Sequence, residues 1–438
     1  HFISVNQLAA EGILGSYPER ERQMMDLTEM GQRAKKAATI LASSSTQVKN
    51  SALILMADAL MENSVRVMEA NQKDVEESQA RGMSEILLDR LVLNEKRVAD
   101  MAEGIKSLIG LSDPVGEIIW GSRLPNGLIL TKVRVPLGVV GIIYEARPNV
   151  TVDASVLCLK SGNAVILRGS SNTLSSNVAL VGVLRDCLKE AGLPEDSIQL
   201  VSSPEREYAV QLMRLREYVD VLIPRGGKDL IENVVANSTV PVIETGIGNC
   251  HIYVDENADV EMALQILLNA KTQRPSVCNA AESLLVHGSI ADVFLPRAIQ
   301  ALTEKKVTVC GCSRTLSYGQ EVLPASEDDY YREYLDLKIA VKVLDSLQEA
   351  IDHINKYGSH HSDAIVTNDY SSAQKFTQEV DSAAVYVNAS TRFTDGFQYG
   401  LGAEIGISTQ RLHARGPMGL KELTTSKFVV YGQGQVRK

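Results

Sequence analysis

The sequence is poor in aromatic residues and has no long apolar run. Only 1 Trp, 14 Tyr and 6 Phe occur in 438 residues, too few for the stacking platforms that bind single-stranded nucleic acids. The longest apolar run extends from Val135 to Tyr144, which is roughly half of the ~20 residues needed to span a bilayer. We therefore expect neither a nucleic-acid partner nor a membrane-spanning helix.

Positive charge is also in deficit. The 44 Lys and Arg residues are outnumbered by 54 Asp and Glu residues, and the formal net charge is -10. Such a surface disfavours phosphate backbones, although a local basic pocket for one small anion is compatible with it. The hydrophobic share of 45% is sufficient for a packed core, and a chain of this length is expected to form two or three domains.

Cysteine is scarce, since six residues are scattered irregularly along the chain. They do not form a disulfide framework, so we expect free thiols and a cytoplasmic location. Cys310 and Cys312 are close enough to suggest a metal or redox pair, but no second Cys/His pair accompanies them, and we expect no metal site. The first residues lack the basic and apolar segments of a secretion signal. We interpret residues 1–24 as an N-terminal tail.

What is present is a strong periodic pattern. A helical pattern covers Leu27 to Ile109, and Asn126-Gly127 between two apolar runs is a strong signal for a β-hairpin. From Gly138 onward, short apolar segments alternate with amphipathic ones, and a second alternating series begins at Val260. This alternation indicates βαβ units and parallel sheets. The predicted fold class is therefore α/β, with two such domains in tandem.

Cys278 differs from the other cysteines because it follows a polar, proline-containing loop and precedes an apolar strand. A thiol at such a boundary can be exposed and lie near backbone N–H dipoles, which favour the nucleophilic thiolate. The alternative is a small buried hydrophobic residue, which is the usual state of a free cysteine. The sequence alone leaves both interpretations open.

Two other segments carry groups that can bind anions. Arg147 and Asn149 follow the first predicted strand of the parallel sheet, where they can hold an oxyanion, or Asn149 can simply cap the next helix. The loop from Val387 to Thr409 is long and rich in Gly, Ser and Thr, which is typical of a binding loop or of a mobile surface loop. Within it, Arg392 is a candidate to bind a carboxylate.

The common nucleotide-binding and hydrolase motifs are absent at suitable places. Four longer segments, taken in order, instead resemble the aldehyde dehydrogenase superfamily, most closely its members that reduce an acyl phosphate. These segments are Gly138–Asn149, Leu222–Gly227, Cys278–His287 and Asn388–Ser408. The resemblance extends from about Leu27 to Val430.

The resemblance implies an aldehyde dehydrogenase-like fold of three parts. These are a Rossmann-like nucleotide-binding domain (25–116 and 135–254), an α/β catalytic domain (255–411) and a β-flap for oligomerisation (117–134 and 412–438). The hairpin at Asn126-Gly127 and the C-terminal run Phe428–Tyr431 match that flap. Exposed strands of this kind need a partner, so a homodimer or homotetramer is expected.

The implied activity is NADPH-dependent reduction of L-glutamyl 5-phosphate to L-glutamate 5-semialdehyde in proline biosynthesis, with release of phosphate. Cys278 would attack the acyl carbon and form a thioester. Asn149 is the implied side-chain donor to the oxyanion, and Arg147 competes with it because this segment departs from the superfamily's usual pattern. Glu244 stands where oxidising relatives keep a general base, and its role stays open. Transient transfer of substrate from a glutamate kinase is a further expectation.

The resemblance also assigns binding roles. The implied cofactor-binding residues are Arg168, Ser171, Arg225, Gly226, Gly227 and Glu333. The implied substrate-binding residues are Arg147, Asn388, Ser390, Thr391 and Arg392. Glu333 would hold the nicotinamide ribose. No carboxylate follows Arg168 to repel a 2′-phosphate, so NADPH is favoured over NADH.

Two alternative functions are considered. The first is another activity of the same superfamily, such as CoA-acylating aldehyde dehydrogenation, against which Arg392 argues because it suits a substrate with a free carboxylate. The second is a non-catalytic assembly member, and the intact Cys278 segment weighs against it.

Overall fold

The computed structural model of the chain describes residues 19–145 and 147–437, so most of the predicted tail lies outside the described residues. The chain divides into two compact units. Of the described residues, the first unit contains those up to 244 together with 400–406 and 418–437, and the second contains 245–399 and 407–417. None of the described helices is both long and apolar enough to cross a membrane.

The first unit begins with helices, as the pattern from Leu27 to Ile109 predicts. They are α1 (Glu19–Leu41), α2 (Thr46–Glu62), α3 (Ser64–Ala80), α4 (Glu85–Leu91) and α5 (Glu95–Ile109). Side-chain caps explain where two of them begin, because an oxygen that accepts a free backbone N–H stabilises a helix start. Ser45 accepts the N–H of Val48 at α2, and Asn94 accepts the N–H of Arg97 at α5.

A three-stranded antiparallel sheet follows, which confirms the predicted hairpin. Its strands are β1 (Ile118–Arg123), β2 (Ile129–Pro136) and β16 (Thr424–Tyr431), with β2 in the centre. Gly127 in the turn has φ of 88°, a conformation that favours glycine. The C-terminal run, which is assigned to the same flap as the hairpin, joins its sheet, since β16 runs along β2 from Thr424↔Pro136 to Tyr431↔Ile129.

A four-stranded parallel sheet forms the core of the first unit. Its strands are β3 (Val139–Tyr144), β4 (Ala164–Arg168), β5 (Ile198–Leu200) and β6 (Val221–Arg225), in the order β5-β4-β3-β6. The helices between and after them are α6 (Pro148–Lys160), α7 (Leu174–Glu190), α8 (Arg206–Arg214) and α9 (Lys228–Asn237). The carboxyl ends of parallel strands meet at one edge, so Tyr144, Arg168 and Arg225 end their strands together.

The second unit contains a seven-stranded parallel sheet in the order β10-β9-β11-β8-β7-β12-β13. The strands are β7 (Cys250–Val254), β8 (Ala281–His287), β9 (Thr308–Gly311), β10 (Leu323–Pro324), β11 (Lys338–Leu344), β12 (Ser362–Val366) and β13 (Ala384–Val387). The helices are α10 (Val260–Thr272), α11 (Gly288–Glu304), α12 (Glu327–Tyr331), α13 (Leu347–Tyr357) and α14 (Tyr370–Glu379). A small antiparallel pair, β14 (Ile407–Ser408) and β15 (Gly416–Pro417), completes the unit. Two parallel sheets with intervening helices confirm the α/β class.

The chain passes from the first unit to the second between residues 244 and 245, whereas the predicted domain boundary falls after residue 254. The difference is β7, which pairs with β8 on one edge and β12 on the other. Both partners belong to the sheet of the second unit. The functional assignment of the domains stays a prediction.

A buried ion pair fixes both ends of the segment that contains Cys278. Lys271 lies in the last turn of α10 and Glu282 in β8; both side chains are fully buried, with Nζ 2.7 Å from Oε2. The other oxygen of Glu282 accepts the N–H of Leu335 at 3.1 Å. Burial raises the pKa of Glu282 to about 7 although Lys271 opposes this shift, and burial lowers the pKa of Lys271. The pair therefore connects α10, β8 and residue 335.

We expect Lys271→Met to lower the free energy of unfolding by about 3–5 kcal/mol, because it leaves a buried carboxylate without its cation. Urea unfolding measures this loss. The double variant Lys271→Met/Glu282→Gln removes the charge but keeps an acceptor for Leu335, and it should recover most of the stability. A double variant as unstable as the single one would contradict this account.

Candidate active site

Cys278 lies in the loop between α10 and β8 and is half-buried. Four of the other cysteines are buried, namely Cys158, Cys187, Cys250 and Cys310. Burial raises the pKa of the Cys158 and Cys250 thiols, which keeps them neutral. Cys312 is the other half-buried thiol. Burial would raise its pKa, but hydrogen bonds from Thr315 and from backbone N–H groups lower it overall.

The backbone of Cys278 is in close contact with Gly248, in the loop that leads into β7. A Cβ atom at position 248 would lie 1.5 Å from the carbonyl oxygen of Cys278, so only glycine can occupy this position. The thiol of Cys250 donates a hydrogen bond to the same carbonyl oxygen at 3.2 Å. The position of Cys278 is therefore set by its main chain.

Gly248 also connects Cys278 to Glu333, which follows α12. The N–H of Gly248 donates to Oε1 of Glu333 at 2.7 Å. A single glycine thus contacts both the predicted nucleophile and the carboxylate that was predicted to hold a ribose. The structure brings these two residues together within the second unit.

The loop at 390–394 is tied to the residue after Cys278. The hydroxyl of Thr391 donates to the carbonyl oxygen of Asn279 at 2.8 Å, and the guanidinium of Arg392 donates through Nη1 to Oδ1 of Asn279. Arg392 also donates through Nε to Oε1 of Gln273 at 3.0 Å. Ser390 supports the turn, because its Oγ accepts the N–H of Arg392 at 3.3 Å. Two predicted substrate-binding residues, Thr391 and Arg392, thus contact the residue that follows Cys278, and Ser390 contacts Arg392.

Asn388 has a different environment. Its φ is 55°, and its side chain bridges Thr367, accepting the N–H at 2.9 Å and donating to the carbonyl oxygen at 2.9 Å. This bridge joins the residues that follow β12 and β13. Contact of Asn388 with a substrate stays a prediction.

Arg168, at the end of β4, is held by backbone carbonyl groups. It donates to Gly169 at 2.7 Å and to Pro204 and Glu205 at 3.1 and 3.2 Å. Its Nε is buried and has no hydrogen-bond partner. Burial and the nearby Arg206 guanidinium both lower the pKa of Arg168. A buried N–H without a partner and a second cation nearby fit a phosphate group well.

The glycine turn after β6 already accepts an anion in this structure. The N–H of Gly227, at the start of α9, donates to Oε2 of Glu145 at 2.8 Å. A Cβ atom at Gly226 would lie 2.5 Å from that oxygen. The turn is therefore open enough for a negatively charged oxygen, and a dinucleotide phosphate would compete with Glu145 for it. Arg225 is half-buried at the end of β6.

Asn149 does not cap a helix, so that alternative is wrong. The first turn of α6 follows Arg147, whose side chain makes no capping hydrogen bond. The exposed Asn149 instead donates to Asp153 one turn further along α6, at 3.0 Å. Burial raises the pKa of Asp153 to about 6. Arg147 and Asn149 belong to the first unit, and the choice between them as oxyanion donor stays open.

The remaining predicted residues lie at the edges of elements. Ser171 is exposed and begins a short 3₁₀ turn, which Ser170 caps by accepting the N–H of Asn172 at 3.2 Å. Glu244 is half-buried and is the last residue of the first unit before the chain enters the second. Neither position by itself indicates a role.

Three residues that contact or adjoin the predicted site residues were not identified from the sequence: Gly248, Asn279 and Arg206. Asn279 had a signal, because an amide directly after a candidate nucleophile can both donate and accept. Gly248 is one of several glycines in its segment, and Arg206 looks like any exposed arginine at a helix start. Their importance arises from contacts with residues distant in the sequence or from tertiary packing.

Comparisons with known proteins identify the family of the chain. The model of the aldehyde dehydrogenase family matches residues 3–312. A γ-glutamyl phosphate reductase from Carboxydothermus hydrogenoformans is 58% identical over 414 residues, covering 94% of this chain and 100% of that protein. A second one, from Heliobacterium modesticaldum, is 60% identical over 412 residues, covering 94% and 99%.

Solved structures give the same result. The crystal structure of γ-glutamyl phosphate reductase from Thermotoga maritima matches with a TM-score of 0.91 and 52% identity, covering 94% of this chain and 99% of that one. An acetylating aldehyde dehydrogenase from Geobacillus thermoglucosidasius has a TM-score of 0.70 at 17% identity, covering 96% and 99%, and shares the fold. The chain belongs to the aldehyde dehydrogenase family and, within it, to the γ-glutamyl phosphate reductases.

Proposed function

We propose that this chain catalyses the NADPH-dependent reduction of L-glutamyl 5-phosphate to L-glutamate 5-semialdehyde with release of phosphate, a step of proline biosynthesis. The name and near-complete coverage of its relatives support the reaction. The observation that carries the proposal is the setting of the half-buried thiol of Cys278. The next residue, Asn279, binds Arg392. Gly248 packs against the main chain of Cys278 and donates a hydrogen bond to Glu333.

In the first step the thiolate of Cys278 attacks the acyl carbon. A C–S bond forms, the C–O bond to phosphate breaks, and phosphate leaves with the electron pair. The nicotinamide cofactor, when bound, supplies the hydride that reduces the resulting thioester. The C–S bond of the hemithioacetal then breaks, which releases the aldehyde and restores the thiolate. Arg147 or Asn149 would donate to the oxyanion.

The environment of Arg168 supports NADPH as the cofactor. Its guanidinium is held by neutral carbonyl groups, it keeps one buried N–H without a partner, and Arg206 lies close enough to lower its pKa. A fixed guanidinium with a second cation nearby suits the 2′-phosphate of NADPH. Ser171, Arg225 and the turn Gly226-Gly227 would bind the rest of the dinucleotide, and Glu333 the nicotinamide ribose.

Arg392 would bind the free carboxylate of the substrate beside Thr391 and Ser390, and contact of the substrate with Asn388 is part of the same proposal. Burial and the neighbouring Arg274 lower the pKa of Arg392, although Asp395 opposes them. A cation next to a second cation is stabilised by an incoming anion. This local positive charge suits a dianionic acyl phosphate that also carries a carboxylate.

The antiparallel sheet supports an oligomer. Trp120 and Phe428 are both paired with Lys132, and Val430 is paired with Leu130, so the three side chains share one face of the sheet. All three are exposed. Among the described strands, none pairs with the second edge of β16. We infer that a second copy of the chain covers this sheet. A cytoplasmic location and transfer of substrate from a glutamate kinase stay predictions.

Cys278→Ser should reduce turnover by at least about 1000-fold, because a hydroxyl cannot replace the thiolate. The assay is phosphate-dependent reduction of NADP⁺ by glutamate 5-semialdehyde. Cys312→Ser, which changes the other half-buried thiol, serves as the control and should retain activity. Unchanged turnover in Cys278→Ser would rule out the assigned nucleophile. Turnover that requires CoA instead of phosphate would favour a CoA-acylating enzyme.

Arg168→Gln and Arg206→Gln should each raise the KM for NADPH roughly tenfold and leave the KM for NADH unchanged, since only NADPH carries the 2′-phosphate. Steady-state kinetics with both cofactors measure the difference. Arg214→Gln is a matched control, because Arg214 lies in the last turn of α8, about 12 Å along the helix from Arg206. An equal loss with NADH would disprove recognition of the 2′-phosphate.

Val430→Asp should convert the oligomer to a smaller species, because it puts a charge on the apolar face of the sheet. Thr425→Asp places the same charge on the opposite face of β16, where position 425 is also exposed. It should leave the oligomer intact. Sedimentation velocity gives the mass of each variant. A wild-type monomer, or dissociation in both variants, would argue against pairing through this face.

A further inference from the structure

Asn279 makes an unusual set of contacts for a residue that follows a candidate nucleophile. It is 4% exposed, and its amide nitrogen donates to the carbonyl oxygens of Arg392 and Thr394 at 3.3 and 2.9 Å. Its amide oxygen accepts from the Arg392 guanidinium, and its backbone carbonyl accepts from Thr391. One residue thus binds both the main chain and the side chains of a loop more than 100 positions away.

The chemistry of these contacts requires an amide. The oxygen must face the guanidinium and the nitrogen must face the two carbonyl oxygens, because the opposite orientation would place donors against donors. An aspartate could accept a hydrogen bond from the Arg392 guanidinium. It would have no N–H to donate to the carbonyl oxygens of Arg392 and Thr394. An aliphatic side chain of the same size could make none of the contacts, and it would leave buried carbonyl groups without partners.

The amide also leaves the charge of Arg392 available. Its guanidinium donates to Oδ1 of Asn279 and Oε1 of Gln273, which are neutral, while Asp395 acts on it electrostatically. The two amide oxygens fix the orientation of the guanidinium plane without forming an ion pair. A carboxylate in either position would neutralise the cation before a substrate arrived.

We propose that Asn279 is a positioning residue, which holds the Arg392 guanidinium in a fixed orientation relative to Cys278 through a neutral contact. A substrate with a carboxylate bound at Arg392 would then present its acyl carbon to the thiol. This inference rests on the roles proposed above for Cys278 and Arg392, and it names the group that aligns them.

The test uses alkylation of Cys278 in the full chain, followed by mass spectrometry. Iodoacetate is a carboxylate and iodoacetamide is its neutral counterpart, so the ratio of their rates at Cys278 reports the usable charge of Arg392. Arg392→Gln gives the ratio without the cation. Asn279→Asp should lower the ratio towards that value, roughly tenfold, because it neutralises the guanidinium. The iodoacetamide rate should change little.

Steady-state kinetics provide the second measurement. Asn279→Asp should raise the KM for glutamate 5-semialdehyde about tenfold, with a smaller change in kcat. Asn279→Ser, which keeps a neutral oxygen but loses the amide donors, should show an intermediate ratio even if Asn279→Asp folds poorly. Asn269→Asp introduces the same charge at an exposed position on α10 and should leave the ratio and KM unchanged.

The outcomes separate this inference from the proposed function. Equal loss of both alkylation rates in Asn279→Asp and Asn279→Ser, with a lower thermal midpoint, would overturn the inference in favour of a purely structural role. The inference would be supported if the wild-type ratio lay above that of Arg392→Gln and fell in Asn279→Asp. This holds even if the wild type lacked phosphate-dependent turnover. In that case the proposed substrate, and not the alignment of Arg392 with Cys278, would be wrong.

Discussion

The candidate site of the second unit depends on the buried ion pair of Lys271 and Glu282. Two charges taken out of water stabilise a fold only when they find each other and the remaining lone pairs are satisfied, and here Leu335 completes the arrangement. The pair lies at both ends of the short segment that carries Cys278, and Leu335 is two residues beyond Glu333. Cys278, Glu333 and the core of the second unit are thereby connected to the same buried ion pair.

The two arginines that are proposed to bind anions have similar hydrogen-bond partners, although they belong to different units. Arg168 donates to backbone carbonyl groups and Arg392 to side-chain amides. In both cases the partners are neutral, so the guanidinium is oriented without losing its charge. A chain with a net charge of -10 can therefore bind anionic ligands, because what counts is the compensation of each cation and not the overall balance.

Local patterns predicted much of this structure. The Asn126-Gly127 hairpin needs only a turn that accepts positive φ, and the α/β class follows from alternating periodicity. Its neighbours in the sequence distinguished Cys278 from the other cysteines, but its role as nucleophile was implied only by the family resemblance. Contacts set by tertiary structure could not be predicted. The side chain of Asn149 binds Asp153 and caps nothing, and Asn279 gains its importance from residues 112 to 115 positions away. No local window contains that information.

The contact between Gly248 and the carbonyl group of Cys278 has a consequence for how such an enzyme can change. The position of Cys278 is set by contact between two main-chain segments, and a change of its side chain leaves such a contact almost unaltered. The loop at residues 390–394 is instead connected to the Cys278 segment by side-chain contacts. Arg392 binds the side-chain amides of Asn279 and Gln273, and the hydroxyl of Thr391 binds the carbonyl oxygen of Asn279. On the roles proposed above, the thiol is placed by a main-chain contact and Arg392 by side-chain contacts, so substitutions in the loop would change substrate preference before they changed the position of the thiol.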